Sequence, residues 1–387
     1  MSTNPQPKPV PKINLPEGTQ TCELFAIDST CNLISTPATL IEPQIDGHEW
    51  LNLPTLTFYI KHPSGAQIAF DLGCRTDWEN HVPHVVEVLS GRVPGLRVEK
   101  EVPDILKEGG VDPNELKALI LSHWHFDHCG NISRLNPATD LVVGPGFKDR
   151  FLPGYPAKED SALAEEHFKG RNVVEAPFSD AYKIGGYQAY DYFGDGSLVI
   201  LNVPGHTTGH ISALVRTTPD SYVFLGGDVC HFAGVIRPSG HIPLPDPIPS
   251  ITALNKRFPT PCPCSIFTEC HPDQENSRTS AFYRCSADPA QSWYEDPNTA
   301  MESIRSLFEF DAQPNVLVLL AHDTAPFTTL KFFPEGTIND WQSKGYKESM
   351  HWYFLNELPY QGKGAGPHVD GVYKGDKRVK DLYGNAV

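Results

Sequence analysis

Short runs of apolar and β-branched residues, several of them followed at once by Gly, His or Asp, recur along this chain. Thr55 to Ile60 and Ala66 to Asp71 flank His62-Pro63-Ser64-Gly65 and predict the two strands of a hairpin. Further strands are predicted at Ala118 to Ser122, Leu141 to Val143, Leu198 to Val203, Ile211 to Val215, Tyr222 to Leu225 and Val316 to Leu320. Helical spacing is rarer. Asp296 precedes Pro297 as a capping residue, and Ala300, Ile304, Leu307 and Phe308 follow at helical spacing. Asp112-Pro113 opens a short helix through Leu116, and Met350, Tyr353, Phe354 and Leu358 predict a last helix stopped by Pro359. Strands and helices mixed in this way, with long connections, predict an α/β or α+β sandwich rather than an all-β or all-helical fold.

Three stretches break the pattern. Residues 1–20 carry Pro5, Pro7, Pro9, Pro11 and Pro16 and predict an extended arm. Phe147 to Phe178 is charged and helix-forming and reads as an insertion. A second insertion, 237–290, opens with proline at every second position from Pro243 to Pro249. Such a stretch supplies no central strand, so it is expected to form a lid over a site or a contact within a homodimer. The remainder, 21–387, is read as one catalytic domain with a C-terminal extension at 324–387.

Composition narrows the function classes. The 387 residues are 40% hydrophobic and 20% charged, an ordinary globular balance. A formal charge of −16, from 47 acids against 31 bases, opposes binding to nucleic acid or to an anionic membrane surface. No apolar run is long enough to span a bilayer, and the polar, proline-rich N-terminus does not read as a signal peptide. A cytoplasmic enzyme is the expectation, with its nine cysteines reduced. The grouping of Cys262, Cys264, Cys270, His271 and Cys285 raises a structural zinc as an alternative, although Pro263 alone separates the first two thiols.

The histidines are unevenly placed. The strand at 118–122 runs into His123-Trp124-His125-Phe126-Asp127-His128, four metal-capable side chains in six positions. If this segment is locally extended, His123 and His125 project to one side and share an ion, while His128 faces another. Three more candidates follow strand ends: His206 after Pro204-Gly205, Asp228 after Gly226-Gly227 and His322 after Ala321. His81, His84, His210 and His351 are isolated and receive no role.

The run HxHxDH, followed by a separate His, an Asp and a final His, resembles the signature of the metallo-β-lactamase superfamily, from about Leu51 to Asp323. That resemblance implies an αββα sandwich with the site at one edge. It implies one metal held by His123, His125 and His206, another by Asp127, His128 and His322, and Asp228 as the bridge. Asp71, in the sequence FDLG, matches an acidic residue of the family and is the candidate to orient an imidazole. Imidazole and carboxylate donors suit zinc and also accept manganese, iron or cobalt. The oxygen-reducing diiron members carry Glu where His125 stands, so two zincs are expected.

The implied reaction is attack of a metal-bridging hydroxide on a small-molecule carbonyl substrate, with Asp127 carrying the proton to the leaving group. The HFDHCGN context and the spacing from His206 to Asp228 look most like the N-acyl homoserine lactone lactonases and the fungal γ-lactamases that open benzoxazolinone. His231 stands where the bacterial lactonases carry a tyrosine that hydrogen-bonds the substrate carbonyl, and it is assigned that donor role. Phe232 and Trp50 are candidate pocket walls. A thioesterase of the glyoxalase II or polyketide-releasing type is the alternative, since it would use the same seven ligands. A nuclease is opposed by the net charge, and a non-catalytic binding module by the complete ligand set.

Overall fold

The computed structural model describes residues 4–387. Its frame, among those residues, is two facing sheets. The larger has nine strands. In spatial order they are Lys377–Asp381, Gly371–Lys374, Gly95–Arg97, Glu23–Ser35, Leu51–Lys61, Gln67–Phe70, Ala118–Ile120, Asp140–Val143 and Val173–Glu175. The smaller has six, Val316–Leu319, Ser221–Leu225, Ile211–Thr218, Leu198–Asn202, Tyr187–Asp191 and Lys183–Ile184.

One apolar layer lies between the sheets. Leu24, Phe58, Ile60, Phe70 and Ile120 of the first meet Leu198, Ile200, Val215, Val223 and Leu319 of the second. The alternate residues Val199 and Leu201 join the outer layer instead, which explains why Leu198 to Leu201 is buried throughout rather than alternating with polar residues. Helices close both outer faces. Val85 and Leu89 of Pro83–Arg92, with Val102 and Leu106 of Val102–Glu108, lie in the outer layer with Leu33 and Leu96 of the first sheet. Ala300, Ile304, Leu307 and Phe310 of Pro297–Asp311 cover Tyr187 and Phe224 of the second, with Phe310 5.0 Å from Phe224. The result is the α+β sandwich in αββα order.

Several predicted elements differ. The hairpin forms, but its first strand begins at Leu51, and the thirteen-residue strand Glu23–Ser35 was not predicted because DST and N interrupt its apolar run. Those interruptions are a bulge between Asp28 and Asn32, with Thr30 at φ 57° and its amide donating to the Asp28 carboxylate. The charged 147–178 stretch is not one helix. It holds the short helix Phe147–Phe151, one 3₁₀ turn and the edge strand Val173–Glu175, and a bridge between Tyr155 and Ala164 folds its middle into a loop. The last helix likewise breaks into Tyr346–Met350 and a 3₁₀ turn at Tyr353–Asn356. There the Asn356 side chain accepts from the Asn255 amide and donates to the Ala253 carbonyl. The proline-rich segment is a loop, as expected.

Of the arm at 1–20, the first three residues lie outside the described residues. The rest packs on the sandwich: the Lys8 amide donates to the Gly240 carbonyl, and Tyr222 and Arg216 donate to the carbonyl of Pro16. Among the described residues no helix is long and apolar enough to cross a membrane. Every described cysteine is free. The structural-zinc grouping does not assemble. His271 uses both ring nitrogens on backbone, Nδ1 accepting from Asp273 and Nε2 donating to Ser280, and none of these cysteines joins a metal-capable group among the described residues.

Candidate metal centre

Five strands deliver the candidate ligands and Asp71 to one edge of the sandwich, with His206 following Leu198–Asn202. Gln67–Phe70 and Ala118–Ile120 are parallel neighbours, so the chain leaves both at the same end, placing Asp71 beside Ser122 and His123. Ser221–Leu225 and Val316–Leu319 are also parallel neighbours and deliver Asp228 and His322 together. The segment after His125 is not extended. Phe126–Cys129 is a single helical turn carrying Asp127 and His128. Glycine is required at two exits: Gly205, at φ 121°, would place a Cβ 2.1 Å from the Ala300 nitrogen, and Gly227, at φ 52°, one 3.0 Å from His210 Nε2.

All seven predicted ligands converge. One group comprises His123, His125, His206 and Asp228, and another Asp127, His128 and His322, with ligand atoms in each group within 4.8 Å of one another. Asp228 lies between the sets. Its Oδ2 is 3.5 Å from both His123 Nε2 and His206 Nε2, and its Oδ1 is 3.1 Å from His128 Nε2 and 3.2 Å from His322 Nε2. His322 Nε2 is also 3.4 Å from Asp127 Oδ2.

Neighbouring groups fix how these rings are turned. Asp71 accepts from the Ser122 amide at 2.7 Å through Oδ1, and from the Ser122 hydroxyl at 2.7 Å and His128 Nδ1 at 2.8 Å through Oδ2. The Ser122 oxygen, having donated its hydrogen, accepts from His123 Nδ1 at 3.0 Å. His322 Nδ1 donates to the Pro54 carbonyl at 3.1 Å. With Nδ1 committed as donor, each of these rings in its neutral form turns an Nε2 lone pair inward. Asp71 holds this arrangement at φ 61°, a left-handed conformation uncommon outside glycine.

The inward atoms fit a cation. His123 Nε2, His128 Nε2 and Asp228 Oδ1 are buried with no well-aligned hydrogen-bond partner. Burial drives the His123, His125 and His206 rings toward the neutral, ligating form. Burial would lift the Asp228 carboxyl, but the imidazoles of His128, His322, His231 and His123 hold it well below the usual carboxylate range. The His128 ring, although buried, is pushed well up by Asp228, Asp127 and Asp71. Lone pairs and carboxylates gathered in this way fit a metal site.

Above the cluster lies a cavity of about 280 Å³. Asp127, Asp228, His231 and His322 form its polar end, Leu33, Leu53, Val85, Trp124, Phe126 and Trp293 its apolar walls, and Arg92 and His84 also line it. His231 is therefore in the site, with Nε2 3.0 Å from Asp228 Oδ2. The two predicted walls are not. Trp50 packs on Tyr383 at 6.2 Å, and Phe232 is enclosed by His48, Tyr283 and Phe354, because the chain turns after His231 and directs Phe232 into the core. Trp124 and Phe126 do line the cavity, and their alternation with His123, His125 and Asp127 was a readable signal. His210, given no role, donates from Nδ1 to Val203 and accepts the Asp228 amide at Nε2, which fixes the backbone of Asp228.

The sequence pattern of the metallo-beta-lactamase superfamily matches residues 56–252, about half of the chain. The gamma-lactamase FDB1 of Fusarium pseudograminearum (strain CS3096) is 38% identical over 358 residues, covering 90% of this chain and 85% of that protein. The chain belongs to the metallo-beta-lactamase superfamily. It is accordingly a metal-dependent hydrolase. The metallo-hydrolase mfmC of Annulohypoxylon moriforme is 36% identical over 368 residues, covering 92% of this chain and 93% of that protein. A crystal structure of a B. thuringiensis AiiA mutant with N-decanoyl-L-homoserine bound superposes with a TM-score of 0.50 at 17% identity, covering 82% of this chain and 98% of AiiA. The metallo-beta-lactamase fold is thus seen in the coordinates as well as in the sequence.

Proposed function

We propose that the centre holds two zinc ions and that the enzyme opens a cyclic ester or amide, a lactone or γ-lactam. The observation that carries this reading is the Asp228 carboxylate, which turns one oxygen to His123 and His206 and the other to His128 and His322. His123, His125 and His206 would hold one ion and Asp127, His128 and His322 the other. Two such ions supply a nucleophilic hydroxide at neutral pH and polarise a carbonyl.

The chain's own residues do the rest. Asp71, through Ser122 and directly, sets the tautomers of His123 and His128. Burial raises the Asp127 carboxyl, suiting it to hold a proton and pass it to the leaving oxygen or nitrogen. His231 Nε2–H is the donor that orients a substrate carbonyl. The apolar walls exclude water and favour a compact substrate, since the volume lies near the small end of ligand pockets, about 300 Å³. The lactam option draws support from the 38% identical gamma-lactamase. Arg92 is the one Arg or Lys among the described residues lining the cavity, which is poor provision for the anionic carrier of a thioester.

A panel of 2-benzoxazolinone, N-hexanoyl homoserine lactone, a glutathione thioester and nitrocefin tests this. Ring opening of one of the first two should exceed turnover of the others, vanish with chelator and return with zinc. Preferential cleavage of the thioester would reject the assignment.

A further inference from the structure

One wall of the cavity has no task in the chemistry above. His84, Val88 and Arg92 stand four residues apart along Pro83–Arg92, so they share one face of that helix, and all three line the cavity together with Val85. Helical side chains lean toward the N-terminus, which lays the Arg92 stem over Val88. Val88 is 37% exposed, a large apolar side chain left at the cavity mouth. Another wall is the segment 292–295, which is tied down. The Trp293 amide donates to the Thr39 carbonyl and the Glu295 amide to the His206 carbonyl, and the Tyr294 hydroxyl is 2.9 Å from His231 Nδ1.

The charge of Arg92 is unanswered. In a chain of 47 acids and 31 bases, Arg75, Arg134, Arg150 and Arg237 each meet a carboxylate within 3.0 Å. Arg92 meets none among the described residues. Its hydrogen bond there runs from Nη2 to the Gln291 carbonyl at 3.4 Å, longer than the usual N–H···O range. The acids that border the cavity are engaged elsewhere. Asp127 and Asp228 belong to the metal cluster, and the Glu295 carboxylate accepts from the Thr208 amide and hydroxyl. His84 adds no charge at neutral pH, because burial and the nearby Arg150 outweigh Asp160 and Glu87 and lower its pKa. Arg92 is also the last residue of its helix, where a cation answers the partial negative charge of the C-terminus. That role leaves the guanidinium free to donate to a ligand.

We propose that Arg92 is a specificity-determining residue that receives a carboxylate carried by the ring substrate. The preferred substrates are then lactones or lactams bearing an anionic group besides the scissile carbonyl. This rests on the ring-opening function proposed above. The planar fork of a guanidinium matches a carboxylate with two parallel N–H donors. Val85, Val88 and Trp293 supply apolar surface beside it for the carbon skeleton of the ring.

The test uses the zinc-loaded full chain and matched ring compounds: 2-benzoxazolinone and 2-coumaranone, each against its 5- and 6-carboxylates. In wild type, kcat/KM should be higher for a carboxylate than for its parent, and the advantage should shrink as sodium chloride rises from about 0.05 to about 0.5 M. Arg92→Gln should lower the ratio of carboxylate to parent about tenfold, through KM, as loss of a charge-assisted hydrogen bond would. Arg92→Lys should keep part of the ratio, and Arg92→Glu should turn the preference toward the aminomethyl congeners. A residue that only capped the helix would move the melting temperature in these variants and leave the ratios unchanged, and that result overturns the proposal. So does a wild type that prefers no carboxylate to its parent. If Arg92→Glu does not fold, the ratio in Arg92→Gln decides. If wild type opens none of these rings, the proposed function is rejected, and calorimetric Kd values for the same compounds judge the subsite. A carboxylate bound more tightly than its parent by wild type but not by Arg92→Gln upholds Arg92 as the anion-binding residue, and equal ratios overturn it.

Discussion

Asp71→Asn isolates the link between the protein frame and one half of the centre. The carboxylate accepts on both oxygens, from the Ser122 amide at 2.7 Å and from the Ser122 hydroxyl and His128 Nδ1 at 2.7 and 2.8 Å. An amide has one oxygen. If that oxygen keeps the Ser122 amide, its NH2 is set against His128 Nδ1, which must then give up its hydrogen. The His128 proton moves to Nε2, the atom that faces Asp228 and Asp127, and must leave before a metal can bind. Loss of such a supporting contact costs about 10–100-fold in affinity, or about 1.4–2.8 kcal/mol. The effect should fall mainly on the site of Asp127, His128 and His322, because His123 keeps its bond to the Ser122 oxygen. Competition titration of the metal-free protein with zinc and a chromophoric chelator reads the two sites separately. A folded Asp71→Asn protein that binds both ions as wild type does would show that Asp71 does not set the His128 tautomer.

Two further predictions concern stability. Glu357 is buried, and burial raises its carboxyl to about 7, against partial relief from Thr324 and Asn52. Its folded pKa lies above the unfolded one, so between about pH 4.5 and 7 the native state keeps a proton that the unfolded chain has lost, and stability falls as pH rises. Glu357→Gln removes this loss, so its stability relative to wild type should improve by up to about 3 kcal/mol between pH 5 and pH 8 in urea melts; a pH-independent difference would count against it. Asp311 and Arg237 form a buried ion pair at 2.7 Å, and Asp311→Ala strands the guanidinium, costing about 3–5 kcal/mol in the denaturation midpoint; a loss under about 1 kcal/mol would show that the pair is solvated.

The parts of the site legible in the sequence are those carried by contiguous residues. HWHFDH holds four candidate ligands, and His206, Asp228 and His322 each stand shortly after a buried strand. What could not be read depends on contacts between distant segments. Tyr294 reaches His231 across 63 positions, and His210 supports Asp228 only because two strands pair. Trp50 and Phe232 were misplaced for the same reason: proximity to a motif does not say which face a side chain takes. In the fold, the strand Glu23–Ser35 was hidden because a bulge breaks its pattern. The two C-terminal strands Gly371–Lys374 and Lys377–Asp381 carry too little apolar character to stand out.

In the proposed centre seven side chains hold two ions, with Asp228 shared. Zinc content per chain, measured by mass spectrometry after equilibrium dialysis of the full chain, tests it most directly. Wild type should carry two ions, and Asp228→Ala should retain both more weakly while still folded. One ion or fewer in wild type, or two undiminished ions in Asp228→Ala, would contradict it.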